Sequence, residues 1–179
     1  EGNADDIAVG SVLEVVLDED NQAVSVTVRN LNAGGGFGGS GEVTNGTSAN
    51  TITEDTEVDS ETYTSTGDDE NALRVDGATV TLKDITIEKT AGSSSNTEDG
   101  DFYGLNAGLL VLNGATATIT GATVNTSVTN GNGVFSYGEG TVVNISDSTI
   151  RTTENNSGGI QTTGGGTMNA ANLDVETQG

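Results

Sequence analysis

Glu98, Asp99 and Asp101, grouped around Gly100 and followed directly by Phe102 and Tyr103, are the residues of this sequence best suited to chemistry. Carboxylates at turn spacing offer the hard oxygen ligands that calcium takes. Two adjacent aromatics offer a face for a sugar ring or a grip for a protein partner. The pair stands out because the whole chain holds only three Phe and three Tyr. The competing reading of the same stretch is a solvated loop whose aromatics pack back onto the domain. Two other acidic clusters, Asp18-Glu19-Asp20-Asn21 and Asp68-Asp69-Glu70-Asn71, match neither the EF-hand spacing nor a calcium-binding nonapeptide and read as solvated turns.

The rest of the composition removes whole classes of chemistry. Cys and His are absent, so there is no thiol nucleophile, no Ser-His-Asp triad and no conventional zinc site. Net charge is −22, from 5 basic against 27 acidic residues. Nucleic-acid binding requires Lys or Arg to neutralise phosphates, so that partner class is excluded. The same charge repels anionic lipid and favours solubility and cations. No run reaches the roughly 20 apolar residues that span a bilayer, so no membrane insertion is expected. No leader segment is legible, which reads as a processed chain. The acidic, Thr-, Asn- and Gly-rich, Cys-free composition matches an extracellular protein of a bacterial surface.

These candidate residues must be positioned by a fold with little apolar material, since hydrophobic residues make up 32% and aromatics 3% of 179 residues. A broad globular core is out of reach, whereas narrow stacked rows of β-branched residues are not. Residues 1–32 read as an N-terminal β-hairpin or cap. Val12, Glu14 and Val16, then Val24, Val26 and Val28, form two alternating runs around residues 18–22. A lone hairpin is marginal in water, so it is expected to pack on the remainder of the chain. Residues 33–46 are glycine-rich and read as a linker.

Residues 47–179 repeat. ALRVDGATVTLKDITI (72–87) aligns with GLLVLNGATATITGATV (108–124) at an offset of 37. GVFSYGEGTVVNISDSTI (133–150) and GIQTTGGGTMNAANLDV (159–175) come next, at offsets of 26 and 25. Five columns emerge. They are Val80, Ala117, Val143, Met168; Leu82, Ile119, Ile145, Ala170; Ile85, Ala122, Ser148, Leu173; Ile87, Val124, Ile150, Val175; and Leu73, Leu110, Phe135, Ile160. They alternate with polar residues, as strands with one buried face do. Asp-Gly, Asn-Gly and Gly-rich corners separate them. Helix is excluded by the period of two and the abundance of Gly and β-branched residues. A sandwich has no reason to repeat three strands every 25 residues or so, but a solenoid does. The expected fold is all-β: a right-handed, single-stranded parallel β-helix of about five rungs. The rungs lie near 47–70 (with Ile52, Val58 and Tyr63), 71–106, 107–132, 133–158 and 159–179.

The stretches TYTSTGDDENALRVDGATVTLKDITI, GVFSYGEGTVVNISDSTI and SGGIQTTGGGTMNA resemble bacterial extracellular right-handed β-helix proteins of the pectate-lyase-like type, in particular adhesin-like surface proteins. The resemblance covers roughly residues 50–179. It implies a longer chain with further rungs and brings no assigned active site. Enzymes on this fold use Asp clusters with Arg, Lys or His on one face. Here the outward positions are mainly Thr81, Thr118, Asn144, Asn169 and Thr86, Thr123, Thr149, Asp174. Carboxylate pairs about 5–10 Å apart are not evident on adjacent rungs, and Arg151, between Asn125 and Glu176, reads as a cross-rung ion pair. No catalytic residue is assigned. The outward Thr array could serve ice binding, but Thr is simply a good strand residue.

The expected function is therefore a secreted or cell-surface stalk or adhesin. Its partners are expected to be a glycan, a host or sibling surface protein, or a second copy paired through the open β-helix edge into a filament. Calcium is the only cofactor in view, at Glu98, Asp99 and Asp101, with Phe102 and Tyr103 as ligand contacts. The alternative is a carbohydrate-binding or carbohydrate-active β-helix protein.

Overall fold

The computed structural model describes residues 43–179 and, before them, the backbone of two strands. The turn expected at residues 18–22 and residues 30–42 of the glycine-rich segment lie outside the described residues. The chain divides into two compact units, Glu1–Glu42 and Val43–Gly179. Residues 43–46, read from sequence as linker, belong to the second. In the first unit β1 (Val12–Leu17) and β2 (Ala23–Arg29) pair antiparallel. Their register sets Leu13 opposite Val28 and Val15 opposite Val26, so the residues facing Val26 and Val28 are not Val12 and Val16.

The second unit is a parallel β-solenoid of about five turns. The first turn holds β3 (Thr47–Ser48), β4 (Thr51–Ile52), β5 (Thr56–Asp59) and β6 (Thr62–Ser65). The second holds β7 (Glu70–Asn71), β8 (Leu73–Asp76), β9 (Thr79–Lys83) and β10 (Thr86–Lys89), followed by a helix, α1 (Thr97–Tyr103). The third turn is β11 (Leu109–Leu112), β12 (Thr116–Thr120) and β13 (Thr123–Thr126). The fourth is β14 (Val134–Tyr137), β15 (Val142–Ser146) and β16 (Thr149–Thr152), and the fifth β17 (Ile160–Thr163), β18 (Thr167–Ala171) and β19 (Asp174–Thr177). Equivalent strands stack into three walls, β4-β8-β11-β14-β17, β5-β9-β12-β15-β18 and β6-β10-β13-β16-β19.

Strand alternation decides which residues line the interior. In the second wall Val80, Ala117, Val143 and Met168 are in register, as are Leu82, Ile119, Ile145 and Ala170. In the third, Tyr63, Ile87, Val124, Ile150 and Val175 form one column. The first turn joins through Ile52 beside Val75 and Val58 beside Leu82. Apart from the exposed Ala170 and Val175 of the fifth turn, these make one continuous core. Each fully buried Leu, Ile or Val in it contributes about 1.5–3 kcal/mol, while the stacked backbones satisfy one another's hydrogen bonds. In the fifth turn Ile160 and Val175 keep 36% and 42% exposure.

The corner between the second and third walls is made by a single left-handed residue in each turn: Ser60, Asp84, Gly121, Asp147 and Asn172, with φ between 49° and 71°. Asn and Asp tolerate this conformation and glycine adopts it freely, which explains the residue types there.

One expected column is wrong by one residue. Leu73 pairs with Leu109, Leu109 with Val134, and Val134 with Ile160. Leu110 and Phe135 instead pair with each other and with Arg74 and Gln161, on the opposite side of the wall. The cause is the corner between first and second walls, whose length varies. Strands β8 and β9 are joined by residues 77–78, β11 and β12 by 113–115, β14 and β15 by 138–141, and β17 and β18 by 164–166. A single offset carried through that corner slips the earlier strand by one position, and a one-residue slip exchanges the two faces of a strand.

Candidate functional site

The outward Leu110 and Phe135 are nevertheless fully buried, in a second cluster with Ala107 and Leu112. Their cover comes from the insertion. Thr86 pairs with Thr123 and Thr123 with Thr149, so the chain advances 37 residues in one turn and 26 in the next. The additional residues carry α1. Asn96 begins this helix, its side-chain oxygen accepting from the Glu98 and Asp99 amides at 3.0 and 3.4 Å. Glu98 and Asp99 occupy the first turn, where negative charge complements the helix dipole. Gly104, at φ 73°, ends it and donates its amide to the Asp99 carbonyl.

Seven residues cannot sustain a helix in water, so the wall must hold this one. The last four carbonyls of a helix have no partner within it. Here side chains from other turns supply three and Asn45, just before the first turn, the fourth. Asn132 Nδ2 donates to Gly100 O at 3.1 Å and Gln161 Nε2 to Asp101 O. Thr163 Oγ1 donates to Phe102 O and Asn45 Nδ2 to Tyr103 O, both at 2.5 Å. Gly100 lies so close to the wall that a Cβ there would run into Asn130. Tyr103 turns inward to 7% exposure and meets Tyr137 edge-on, with ring centroids 5.5 Å apart. Phe102 turns outward and stays 55% exposed.

The two candidate aromatics are thus separated in role: Tyr103 seals the second cluster, and Phe102 is presented. The three candidate carboxylates differ in setting as well: Glu98 is exposed, Asp99 buried and Asp101 half-buried. Asp99 is buried and accepts a hydrogen bond from the Thr44 amide. Its pKa is raised, chiefly by burial, with the charges of Glu98 and Asp69 adding to the effect. Asp101 accepts from Asn130 Nδ2 at 2.9 Å. Its pKa is raised too, again chiefly by burial. Among the described residues no group of three or more Asp, Glu, His or Cys is placed to hold a metal ion. Beside the outer end of α1 runs a shallow, open groove lined by Asp101, Phe102, Asn156, Gln161 and Thr177.

Two residues that the sequence did not single out matter for this region. Arg74 lies in the outward column of Leu110 and Phe135. Its guanidinium donates to the Asn45, Gly46 and Thr47 carbonyls at 2.7–3.0 Å and to Asn71 Oδ1 at 2.7 Å. Lys89 is fully buried at the end of β10, and its Nζ donates to Gly67 O at 2.6 Å, Ala91 O at 2.8 Å and Ser65 Oγ at 3.3 Å. The signal for Lys89 was its inward parity with Ile87. For the second cluster it was the unbroken apolar run Leu109–Leu112, which has no polar face to leave in water.

The remaining described cations are also engaged. Lys83 pairs with Asp59 at 3.5 Å and Asp84 at 3.7 Å. Arg151 pairs with Asp174 at 2.6 Å and, as its column predicts, with Glu176 at 3.6 Å. No protein-family model matches the chain, and no curated protein or solved structure matches it either.

Proposed function

We propose that this chain is a rigid scaffold of a bacterial cell surface, structural or adhesive rather than catalytic, whose specific contact is made at the outer end of α1. The observation that carries the reading is the treatment of the insertion. Every orphan carbonyl of α1 is tied down by a side chain from elsewhere in the unit and Tyr103 is sealed, yet Phe102 is held 55% exposed beside an open groove. A large apolar ring fixed in water on a rigid mount suits recognition, because little side-chain or backbone entropy remains to be lost on binding.

The chemistry of the partner is set by the charges. All four Lys and Arg side chains of residues 43–179 are engaged internally, and the groove carries Asp101. The site therefore favours a neutral polyhydroxylated ligand: a hydroxyl-rich ring face on Phe102, with Asp101, Asn156 and Gln161 beside its hydroxyls. A polyuronate would meet uncompensated negative charge.

The test is binding of the intact chain to immobilised neutral and acidic oligosaccharides, with Phe102→Ala as the comparison. The expected result is binding to a neutral glycan that weakens about tenfold or more in the variant, as the loss of an anchoring aromatic does. Binding confined to uronates, or unchanged in the variant, would overturn the site. Release of cleaved products, lost on replacing Asp99 or Asp101, would replace this reading with a carbohydrate-active enzyme.

A further inference from the structure

The segment that leads into the solenoid is fastened to the same helix that presents Phe102. The Thr44 amide donates to the Asp99 side chain, and Asn45 Nδ2 donates to the Tyr103 carbonyl. The carbonyls of Asn45, Gly46 and Thr47 converge on the Arg74 guanidinium, itself held by Asn71 Oδ1. Asn71 in turn donates to Gly104 O at 2.9 Å, immediately after α1. A closed circuit of side chains thus runs from the strap 44–47 to both ends of the helix.

We infer that the strap and α1 form one cooperative unit on the solenoid wall, so that loosening the strap also loosens the mount of Phe102. Covalent continuity makes residue 43 the point where tension carried along residues 33–42 arrives. Beyond the strap, β3 and β7 share only two residue pairs, a weak anchorage without the Arg74 clamp. On the adhesive reading, on which this functional consequence rests, tension would weaken the contact and an occupied contact would strengthen the anchorage, because coupling between two sites is reciprocal. The inference rests on the placement of Arg74, Asn45 and Asp99 and does not depend on which ligand binds.

Hydrogen exchange on the intact chain without ligand tests it, comparing wild type with Arg74→Met. Exchange at the Thr47 and Ala49 amides, bonded to Asp69 O and Asn71 O, is expected to rise at least ~10-fold. The Gly100 and Leu105 amides, bonded to Asn96 O and Asp99 O, should rise with them by at least ~3-fold. The Val134 and Val142 amides of the walls, bonded to Gly159 O and Ala115 O, should keep their wild-type rates. A rise in the strap alone, no rise in either, or an equal rise in the wall amides overturns the proposal. Should Arg74→Met not fold, Asn45→Ala removes a single half-buried donor and is expected to give the same joint rise on a smaller scale. A chain that binds no glycan yet opens strap and helix together would refute the function and retain the coupling.

Discussion

Replacing Lys89 with methionine keeps the length of the side chain and removes its ammonium. In the wild type the three N–H donors meet three acceptors, Gly67 O, Ala91 O and Ser65 Oγ. Ser65 retains a second bond, to Glu70 Oε2 at 2.6 Å, so the variant orphans chiefly the two carbonyls. A buried acceptor left unsatisfied costs about 1–3 kcal/mol, but Ala91 is exposed and Gly67 half-buried, so water makes good part of the loss at both carbonyls. Against it also stands the desolvation of the charge, which the variant no longer bears. The net expectation is a loss of about 1–2 kcal/mol, or on the order of 2–8 °C in the melting temperature of a domain of this size, read by calorimetry. A variant as stable as the wild type would refute the reasoning, since the ammonium would then contribute nothing beyond its own burial.

Titration gives a second readout of the same residue. Burial holds the Lys89 pKa below the ordinary lysine range, against the opposing charges of Glu70, Asp68 and Asp69. Between that lowered value and the unfolded value of about 10.4, the unfolded chain binds more protons than the folded one. Stability contributed by this group therefore rises with pH through that window. The gap between wild type and Lys89→Met should widen as pH rises toward about 10. Tyr63 and Tyr137, whose pKa values burial raises, act in the opposite sense at higher pH but equally in both proteins. A gap that is constant or narrows refutes the assignment.

Other predictions concern the corners and the insertion. Gly121→Ala and Gly114→Ala should each cost about 1–2 kcal/mol of left-handed strain, at φ 71° and 75°. The exposed Asp84 carboxylate can swing clear of a Cβ at position 121, and nothing lies near one at 114, so chemical denaturation should give similar losses for the two variants. Phe135→Ala should cost about 3–5 kcal/mol, despite its outward parity, because α1 seals it. Because the raised pKa of Asp99 makes the folded state take up a proton first as pH falls, its contribution grows as pH falls toward about 4. The stability of wild type relative to Asp99→Asn should therefore rise on acidification, and a flat difference by thermal denaturation would reject the shift. Millimolar calcium should shift the melting temperature of Asp101→Asn no differently from that of wild type, since among the described residues Glu98, Asp99 and Asp101 form no common ligand set.

Much of this architecture is legible in the sequence, for a physical reason. Strand parity and turn stacking both act at fixed spacing, so Val80, Ala117, Val143 and Met168 declare themselves by period alone. What period cannot convey is the length of a corner, and Leu110 and Phe135 were misplaced because one corner grows by a residue between turns. The helix was hidden for a different reason. Thr97–Tyr103 has a glycine at its centre and little intrinsic helical preference, so it exists only because Asn132, Gln161, Thr163 and Asn45 complete it. Its local cues, Asn96 before Glu98 and Asp99 and Gly104 after Tyr103, are cap signals that acquire meaning once a wall is there to hold the helix. The insertion was legible as a segment from the 37-residue offset, but the placement of Asp99, Asp101, Phe102 and Tyr103 within it depends on which way each side chain turns.

The corner joining the first and second walls takes two, three, four and three residues in successive turns, and the insertion adds about eleven more elsewhere, with every strand still on its neighbour. Copying errors that add or drop a codon at these places leave the stack intact, whereas the same errors inside a strand would turn it inside out. A lineage built on such a frame can trial new protrusions one bend at a time, and a laboratory can do the same. Peptides grafted between residues 137 and 142 or 163 and 167 would stand on a platform whose register does not depend on them.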